Sequence, residues 1–223
     1  MKYPTVWLQG SSLGEAIACE LRLQIINGTI KPGKILSENG IAAEFGTSRS
    51  PVREALKTLS NEGLISLKRM GVEVIGLQLK DIDELYDVRY LIESYAWRHM
   101  AQKDPSNIIA QLHQIVDKME LAAKHHDIIE FVFQDLSFHE LIIAESKHSR
   151  IWHLWSSIRQ IVMTVLLITT KKIFSQGENK VHLVIDKHRT LLQGLESRDP
   201  AVISARIEEY FADSHQTIHL SIH

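Results

Sequence analysis

Cysteine is almost absent. A single Cys19 in 223 residues can close no disulfide within the chain, so the fold must stand on its core alone, and a reducing compartment is expected. Excess positive charge is absent too: 25 Lys and Arg stand against 27 Asp and Glu, a formal net charge of -2, and that balance does not by itself suggest a nucleic-acid binder. Long apolar runs are missing as well. The most hydrophobic stretch, "IVMTVLLITT" at 161–170, is about half the length needed to cross a bilayer, and "MKYPTVWLQG" lacks the basic and apolar regions of a secretory leader. A cytoplasmic chain with no membrane partner is the expectation.

What charge there is lies unevenly. Residues 1–77 hold nine Lys and Arg against seven acids, and residues 78–223 hold sixteen against twenty. The periodicity changes at the same place: short helical pieces and a β-like piece come before residue 77, and only long helical periodicity follows. Two domains are expected, 1–77 and 78–223, in a mainly α protein.

In the first part, "SSLGEAIACELRLQIINGTIKPG" starts at a Ser cap, sets Ala16, Ile17, Leu21, Leu23 and Ile25 on a helical face, and stops at "NG" and "KPG". "LSENGIAAEFG" repeats the pattern with Ser37 as cap, Ile41, Ala42 and Phe45 as buried positions and Gly46 as terminator. "TSRSPVREALKTLSNEG" then opens on polar capping candidates, carries Pro51 in its first turn, and buries Val52, Ala55, Leu56 and Leu59. Two short helices joined by a three- or four-residue turn form a helix-turn-helix. "LISLKRMGVEVIGL" follows, with Leu64, Ile65, Leu67 and Val72, Val74, Ile75 as two arms around a basic tip, a hairpin that makes the motif winged.

In such a motif the second helix enters the major groove N-terminus first. Arg49 and Arg53 are four apart and share a face, where a guanidinium can fork onto guanine O6 and N7 or onto a phosphate. Ser48 and Ser50 can donate to phosphate oxygens beside the positive end of the helix. The alternative for the two arginines is a solvated face paired with Glu54 or Glu62; the ordered set of helix, turn, capped helix and basic hairpin favours DNA.

The run "LRLQIINGTIKPGKILSENGIAAEFGTSRSPVREALKTLSNEGLISLKRMG" resembles the winged helix-turn-helix of the GntR family of bacterial transcription regulators, with "SRSPVREAL" and "EGLI" as its signature. The resemblance implies DNA contacts from Ser48, Arg49, Ser50 and Arg53, from Asn39 on the preceding helix, and from the wing tip between Arg69 and Gly71. The family's wing is usually glycine-rich; this one has one Gly and Met70.

The second part reads as an antiparallel all-α bundle. "DIDELYDVRYLIESYAWRHMAQ" spaces Ile82, Leu85, Val88, Leu91, Ile92, Tyr95 and Ala96 helically, and further segments cover 106–125, 128–146, 150–173, 179–197 and 200–219, with breaks at "KDPS", "HHD", "SKHS", "SQGE" and "RDP". Such a bundle can hold a ligand between facing helices. Asp135 and His139 share a helix face and His188 lies on a later helix, a donor set that suits zinc, nickel or manganese. Twelve histidines are scattered over the chain, so the same trio can also arise without a metal.

"DVRYLIES", then "D...FH" and a later His, is similar to the helical effector (FCD) domain of the FadR-type branch. That resemblance implies a divalent metal on one Asp and three His, with Asp135, His139 and His188 on three of the positions and Tyr210 on the fourth, where a phenol of pKa near 10 is a poor ligand. It also implies that Arg89 binds the carboxylate of a small acid, with Tyr210 as a second effector-binding candidate; the alternative for Arg89 is an i, i+4 pair with Glu93, and for Tyr210 a place in the packing alone. With "YPTVWL", "ILSENGIAAEFGTSRSPVREALK" and "FQDLSFHELII" the chain resembles the gluconate-responsive regulators within that family, and this resemblance implies gluconate as the acid. The functional expectation is a homodimeric repressor that reads a palindromic operator on double-stranded DNA and is released by the acid. Two other readings stand beside it. One is the same DNA reader answering to a metal, another carboxylate or an acyl thioester; the other is a metal-dependent hydrolase, disfavoured because no "HExxH" supplies a base.

Overall fold

The computed structural model describes residues 1–69, 71–102 and 105–222. Met70 at the expected wing tip, and Lys103 and Asp104 in the expected first break, lie outside them. The chain divides into two compact units, Met1–Asp81 and Ile82–His223.

Helix α1 (Leu13–Ile26) begins at a capping box, in which Ser12 Oγ accepts from Glu15 N at 3.1 Å and Glu15 Oε2 accepts from Ser12 N at 2.7 Å. Helix α2 (Glu38–Glu44) begins where Ser37 Oγ accepts from Gly40 N at 3.0 Å. Four residues, 45–48, connect α2 to α3 (Arg49–Asn61), and among them Gly46, at φ +61°, reverses the chain. Pro51 lies in the first turn of α3, where its missing N–H costs nothing. Val52, Ala55, Leu56 and Leu59 on α3 are buried, as are Ile17, Leu21 and Leu23 on the neighbouring α1; each such leucine is worth about 1.5–3 kcal/mol of burial. Ala16 and Phe45, both expected inside, are only half-buried. Buried Arg22 anchors α1 to the end of α3 by a fork onto Glu62, Nε to Oε2 at 2.7 Å and Nη2 to Oε1 at 2.6 Å.

Strands β1 (Ile35–Leu36), β2 (Ile65–Lys68) and β3 (Gly71–Val74) form an antiparallel sheet in the order β1-β3-β2, with Lys68 opposite Gly71 at the hairpin end. Ile65, Val72 and Val74 face inward, whereas Leu67, next to the hairpin end, and Ile75, past the end of β3, are exposed. A Cβ on Gly71 would stand 2.9 Å from Ile35 Cγ2 and 3.0 Å from the Leu36 carbonyl oxygen. The close passage of β1 therefore demands glycine there.

The second unit is helical: α4 (Leu79–Ala101, its first turn preceding the division), α5 (Ser106–Lys124), α6 (Ile128–Glu145), α7 (Ser149–Ser175), α8 (Glu178–Ser197) and α9 (Pro200–Ile222). The chain turns at the expected polar breaks, through left-handed His126, Lys147 and Arg198 and through Gly177. Helix α6 packs against α5 and α7, and α8 against α5, α7 and α9. By length and composition α7, at 27 residues, could reach across a bilayer, further than the apolar run alone suggested; residues 161–167 are all buried within the bundle.

One sequence expectation for α4 is corrected. Val88, Leu91 and Tyr95 are exposed, Leu91 at 66%, because the buried side is the stripe of Ile82, Leu85, Tyr86, Arg89, Ile92, Glu93, Ala96 and Trp97. The apolar residues of α4 thus form two faces, and the buried one carries the ion pair.

Candidate functional site

In the first unit, Asn39, Ser48, Arg49, Ser50, Arg53 and Arg69 are exposed and Gly71 is half-buried. Arg49 and Arg53 converge, but on a carboxylate that sequence reasoning did not name. Glu38 Oε2 accepts from Arg49 Nε at 3.0 Å, from Arg49 Nη2 at 2.5 Å and from Arg53 Nε at 3.0 Å. Neither Glu54 nor Glu62 supplies that partner: Glu62 is taken by Arg22, and Glu38 reaches across from α2. The two guanidiniums hold the Glu38 carboxyl below its usual range. Ser48 occupies the N-cap of α3 without a side-chain capping bond. Gly71 has the structural reason already given for being glycine, independent of any wing insertion.

In the second unit the structure brings Asp135, His139, His188, Tyr210 and Arg89 into one buried cluster and adds Glu93 to it. Asp135 Oδ1 lies 3.3 Å from His188 Nε2 and 3.5 Å from His139 Nε2, and the Tyr210 hydroxyl lies 2.8 Å from His139 Nε2. The other nitrogen of each ring is spoken for. His188 Nδ1 donates to the Val184 carbonyl at 2.8 Å, and His139 Nδ1 sits 2.6 Å from Glu93 Oε2. That last contact is close but off-line for a directed hydrogen bond, and both atoms lack a well-aligned partner; they meet as charges. Arg89 Nε donates to the other Glu93 oxygen at 2.8 Å, both residues being 1% exposed. Arg89 also lies over the Tyr86 ring, 4.8 Å from its centroid.

Burial alone would push the carboxyls up and the imidazole down, but the charges here outweigh it. Asp135 is held well below the carboxylate range by His188 and His139, and Glu93 is held down by Arg89 and His139. His139 is raised by Glu93 and Asp135. Tyr210 is pushed well above its usual value by burial and then by Asp135, so it stays a neutral phenol.

The donor set fits a divalent ion. One atom each from Asp135, His139 and His188 lie within 4.8 Å of one another. The 3.3 and 3.5 Å separations match the ligand–ligand edge of about 3.3 Å that bonds of about 2.0–2.1 Å give in a tetrahedron. Glu93 and the Val184 carbonyl hold the Nδ1 sides, the outer-shell arrangement that points Nε2 at a metal. Tyr210 competes: with neutral His139 its O–H donates to the same Nε2 lone pair.

Beside the cluster is a cavity of ≈ 40 Å³, lined by Arg89, Asp135 and Lys187, by the apolar Leu166, Ile173 and Val184, and by the hydroxyl-bearing residues Tyr86, Thr169, Thr170, Tyr210, Ser214 and Thr217. Of these hydroxyls, Thr169 Oγ1 donates to the Val165 and Leu166 carbonyls and Thr217 Oγ1 to that of Asp213. Arg89, one of the lining residues, has its Nη2 buried without a hydrogen-bond partner. Lys187 Nζ donates to Thr217 Oγ1 at 3.1 Å, tying α8 to α9. Glu93 and Lys187 are the members that sequence reasoning missed as site residues. Glu93 had a signal, its i, i+4 spacing from Arg89, whereas Lys187 had none beyond adjacency to His188.

Residues 13–74 match the model of the bacterial regulatory proteins of the gntR family, and residues 84–213 match the FCD domain. The chain is 39% identical over 211 residues to the gluconate operon transcriptional repressor of Bacillus subtilis, and 36% identical to that of Bacillus licheniformis, in each case over 95% of this chain and 87% of the relative. Among solved structures it resembles Escherichia coli McbR/YncC, with TM-score 0.67 and 21% identity over 94% of this chain and 98% of that one. It also resembles Lar, which controls expression of the Listeria monocytogenes agr system, with TM-score 0.68 and 18% identity over 94% and 97%; these two likenesses concern the fold. The matched families are transcription regulators and not enzymes.

Proposed function

The chain belongs to the gntR family of bacterial regulatory proteins and carries an FCD domain, and from that premise we propose that it is a cytoplasmic repressor of a gluconate-utilisation operon, released from its operator when gluconate binds the helical unit. DNA binding and transcription regulation come with the family. The gluconate effector is the proposal, and the buried, unpartnered Arg89 Nη2 on a residue that lines the cavity is the observation that carries it. A sugar acid is a carboxylate followed by a chain of hydroxyls. Arg89 supplies a charged donor for the first, and the Ser, Thr and Tyr residues among the lining, whose hydroxyls both donate and accept, would serve the second once the walls part. The names of the two Bacillus relatives agree.

Asp135, His139 and His188 would hold a divalent metal, which when bound would supply a further positive charge for the acid's oxygens. At ≈ 40 Å³ the cavity has room for about a water or two, so a six-carbon acid enters only if the walls part. That requirement is what turns binding into a signal: the acid has affinity for the opened state and none for the closed one, so it shifts the population. DNA reading is assigned to Asn39, Ser48, Arg49, Ser50, Arg53 and the wing at Arg69 and Gly71. The exposed stripe Val88, Leu91 and Tyr95 on α4 supplies the homodimer face, and a dimer reads a two-fold operator.

The test is thermal melting with and without zinc or manganese against gluconate, other sugar acids and short carboxylates, followed by displacement of bound DNA. A ligand that binds only the native state raises Tm. A rise with gluconate together with release of DNA supports the reading. No rise with any sugar acid, alongside one with an acyl thioester or a metal alone, keeps the regulator and overturns the effector.

A further inference from the structure

The ion pairs between Glu38 and the two arginines of α3 are surface contacts, with Arg49 54%, Arg53 60% and Glu38 29% exposed. Exposed pairs of this kind add little to stability, so their geometry is the informative part. Both arginines turn the same edge toward Glu38. Arg49 spends Nε and Nη2 on Oε2, and Arg53 spends Nε. For each guanidinium the occupied side is the Nε side, which leaves Nη1 and the outward N–H of Nη2 at the end of the side chain. That end presents the two-pronged donor that fits guanine O6 and N7. Glu38 is the first residue of α2, directly after the Ser37 cap, whose Oγ accepts from Gly40 N at 3.0 Å, so its backbone is fixed at the start of the helix.

We propose that Glu38 is the specificity-setting positioning residue of the DNA-reading surface. It buttresses Arg49 and Arg53 so that each meets the groove end-on, and it sets a negative charge among them that disfavours adventitious phosphate contacts. Two consequences follow with opposite signs. An arginine held at its Nε edge has fewer orientations to lose when it forks onto a base, so matched DNA gains. A carboxylate near the phosphates repels them, so unmatched DNA, bound through the backbone alone, loses. Glu38 therefore widens the gap between matched and unmatched sites while lowering the affinity for DNA in general. This rests on the assignment of Arg49 and Arg53 to base contact.

The test uses the full chain and three proteins: unsubstituted, Glu38→Gln and Arg49→Ala. A duplex is selected from a random-sequence library with the unsubstituted protein, and all three are titrated against it and a scrambled duplex by fluorescence anisotropy at several salt concentrations. Each protein is also put through its own selection. For Glu38→Gln we expect tighter binding to the scrambled duplex, a matched-to-scrambled ratio lower by about tenfold, and a selected motif with weakened guanine preference at two symmetry-related positions. An unchanged ratio and motif in Glu38→Gln, with Arg49→Ala altered, overturns the role of Glu38 alone. An unchanged motif in Arg49→Ala overturns the recognition-helix assignment beneath it. Equal losses on both duplexes in Glu38→Gln, with Tm lowered, would reduce Glu38 to a structural contact and also overturn the proposal.

Discussion

Replacing Arg89 by Ala should cost the helical unit about 3–5 kcal/mol, and this number comes from the pair rather than from the arginine. Arg89 and Glu93 are each 1% exposed and joined at 2.8 Å. Such a pair contributes little net stability when intact, because desolvation of both ions offsets their attraction. Removal of one partner leaves the other charge buried, and that is what costs about 3–5 kcal/mol. Glu93 would keep only His139, across an off-line 2.6 Å contact. In a unit of this size each kcal/mol shifts Tm by about 3 °C, so the expected loss is about 10–15 °C. Tryptophan fluorescence follows it well, since Trp97 and Trp155 are both fully buried in this unit. The double variant Arg89→Leu with Glu93→Leu removes both charges and should recover most of the loss. A single-variant shift below about 3 °C, or a double variant as unstable as the single, would refute the buried-charge argument. The same reasoning disqualifies Arg89→Ala as a clean test of effector binding. Arg89→Lys keeps a cation beside Glu93 and loses the fork, so it should fold and yet bind gluconate at least about tenfold more weakly.

Three further outcomes can be checked. In metal-free protein the raised His139 stabilises the fold fully below its ordinary value of 6.5 and ceases to do so as pH rises through its folded value, whereas the depressed Glu93 and Asp135 stabilise above their ordinary values of 4.5 and 3.8 and cease as pH falls. Urea titrations should therefore show greatest stability between about pH 5 and 6.5, and a flat profile from pH 6 to 9 would remove the proton from this cluster. Tyr210→His should raise zinc affinity by about tenfold or more, by replacing a competing phenol at 2.8 Å from His139 Nε2 with a further imidazole; competition with a coloured chelator measures it, and equal affinity would mean that position 210 takes no part. Leu91→Glu, at a residue 66% exposed, should leave Tm within about 2 °C while converting dimer to monomer in sedimentation; a dimer that persists would move the two-fold face elsewhere.

Much of the fold was legible because its signals are local. Ser12, Ser37, Gly46, Pro51 and the polar breaks between the long helices act within a few residues of themselves, and the structure turns where they stand. What was not legible depends on partners far along the chain. Glu38 meets Arg49 and Arg53 across eleven and fifteen residues, and no periodicity encodes that meeting; His139 and Tyr210, seventy-one residues apart, were brought together by the family resemblance and not by any local pattern. Helix α4 shows the limit most clearly. Its pattern marks Val88, Leu91 and Tyr95 as apolar and Arg89 and Glu93 as polar, so periodicity alone buries the first set and exposes the second, and the structure does the reverse. The inversion has one physical meaning on each face. A charged pair enters a core only when it satisfies itself and something beyond it, here His139 and the Tyr86 ring. An apolar stripe stays on the surface of a bacterial regulator when another surface is to cover it. The residues that break the pattern are thus the ones assigned to the effector and to the second subunit, which is where a chain selected for function as well as folding departs from the rules that fold it.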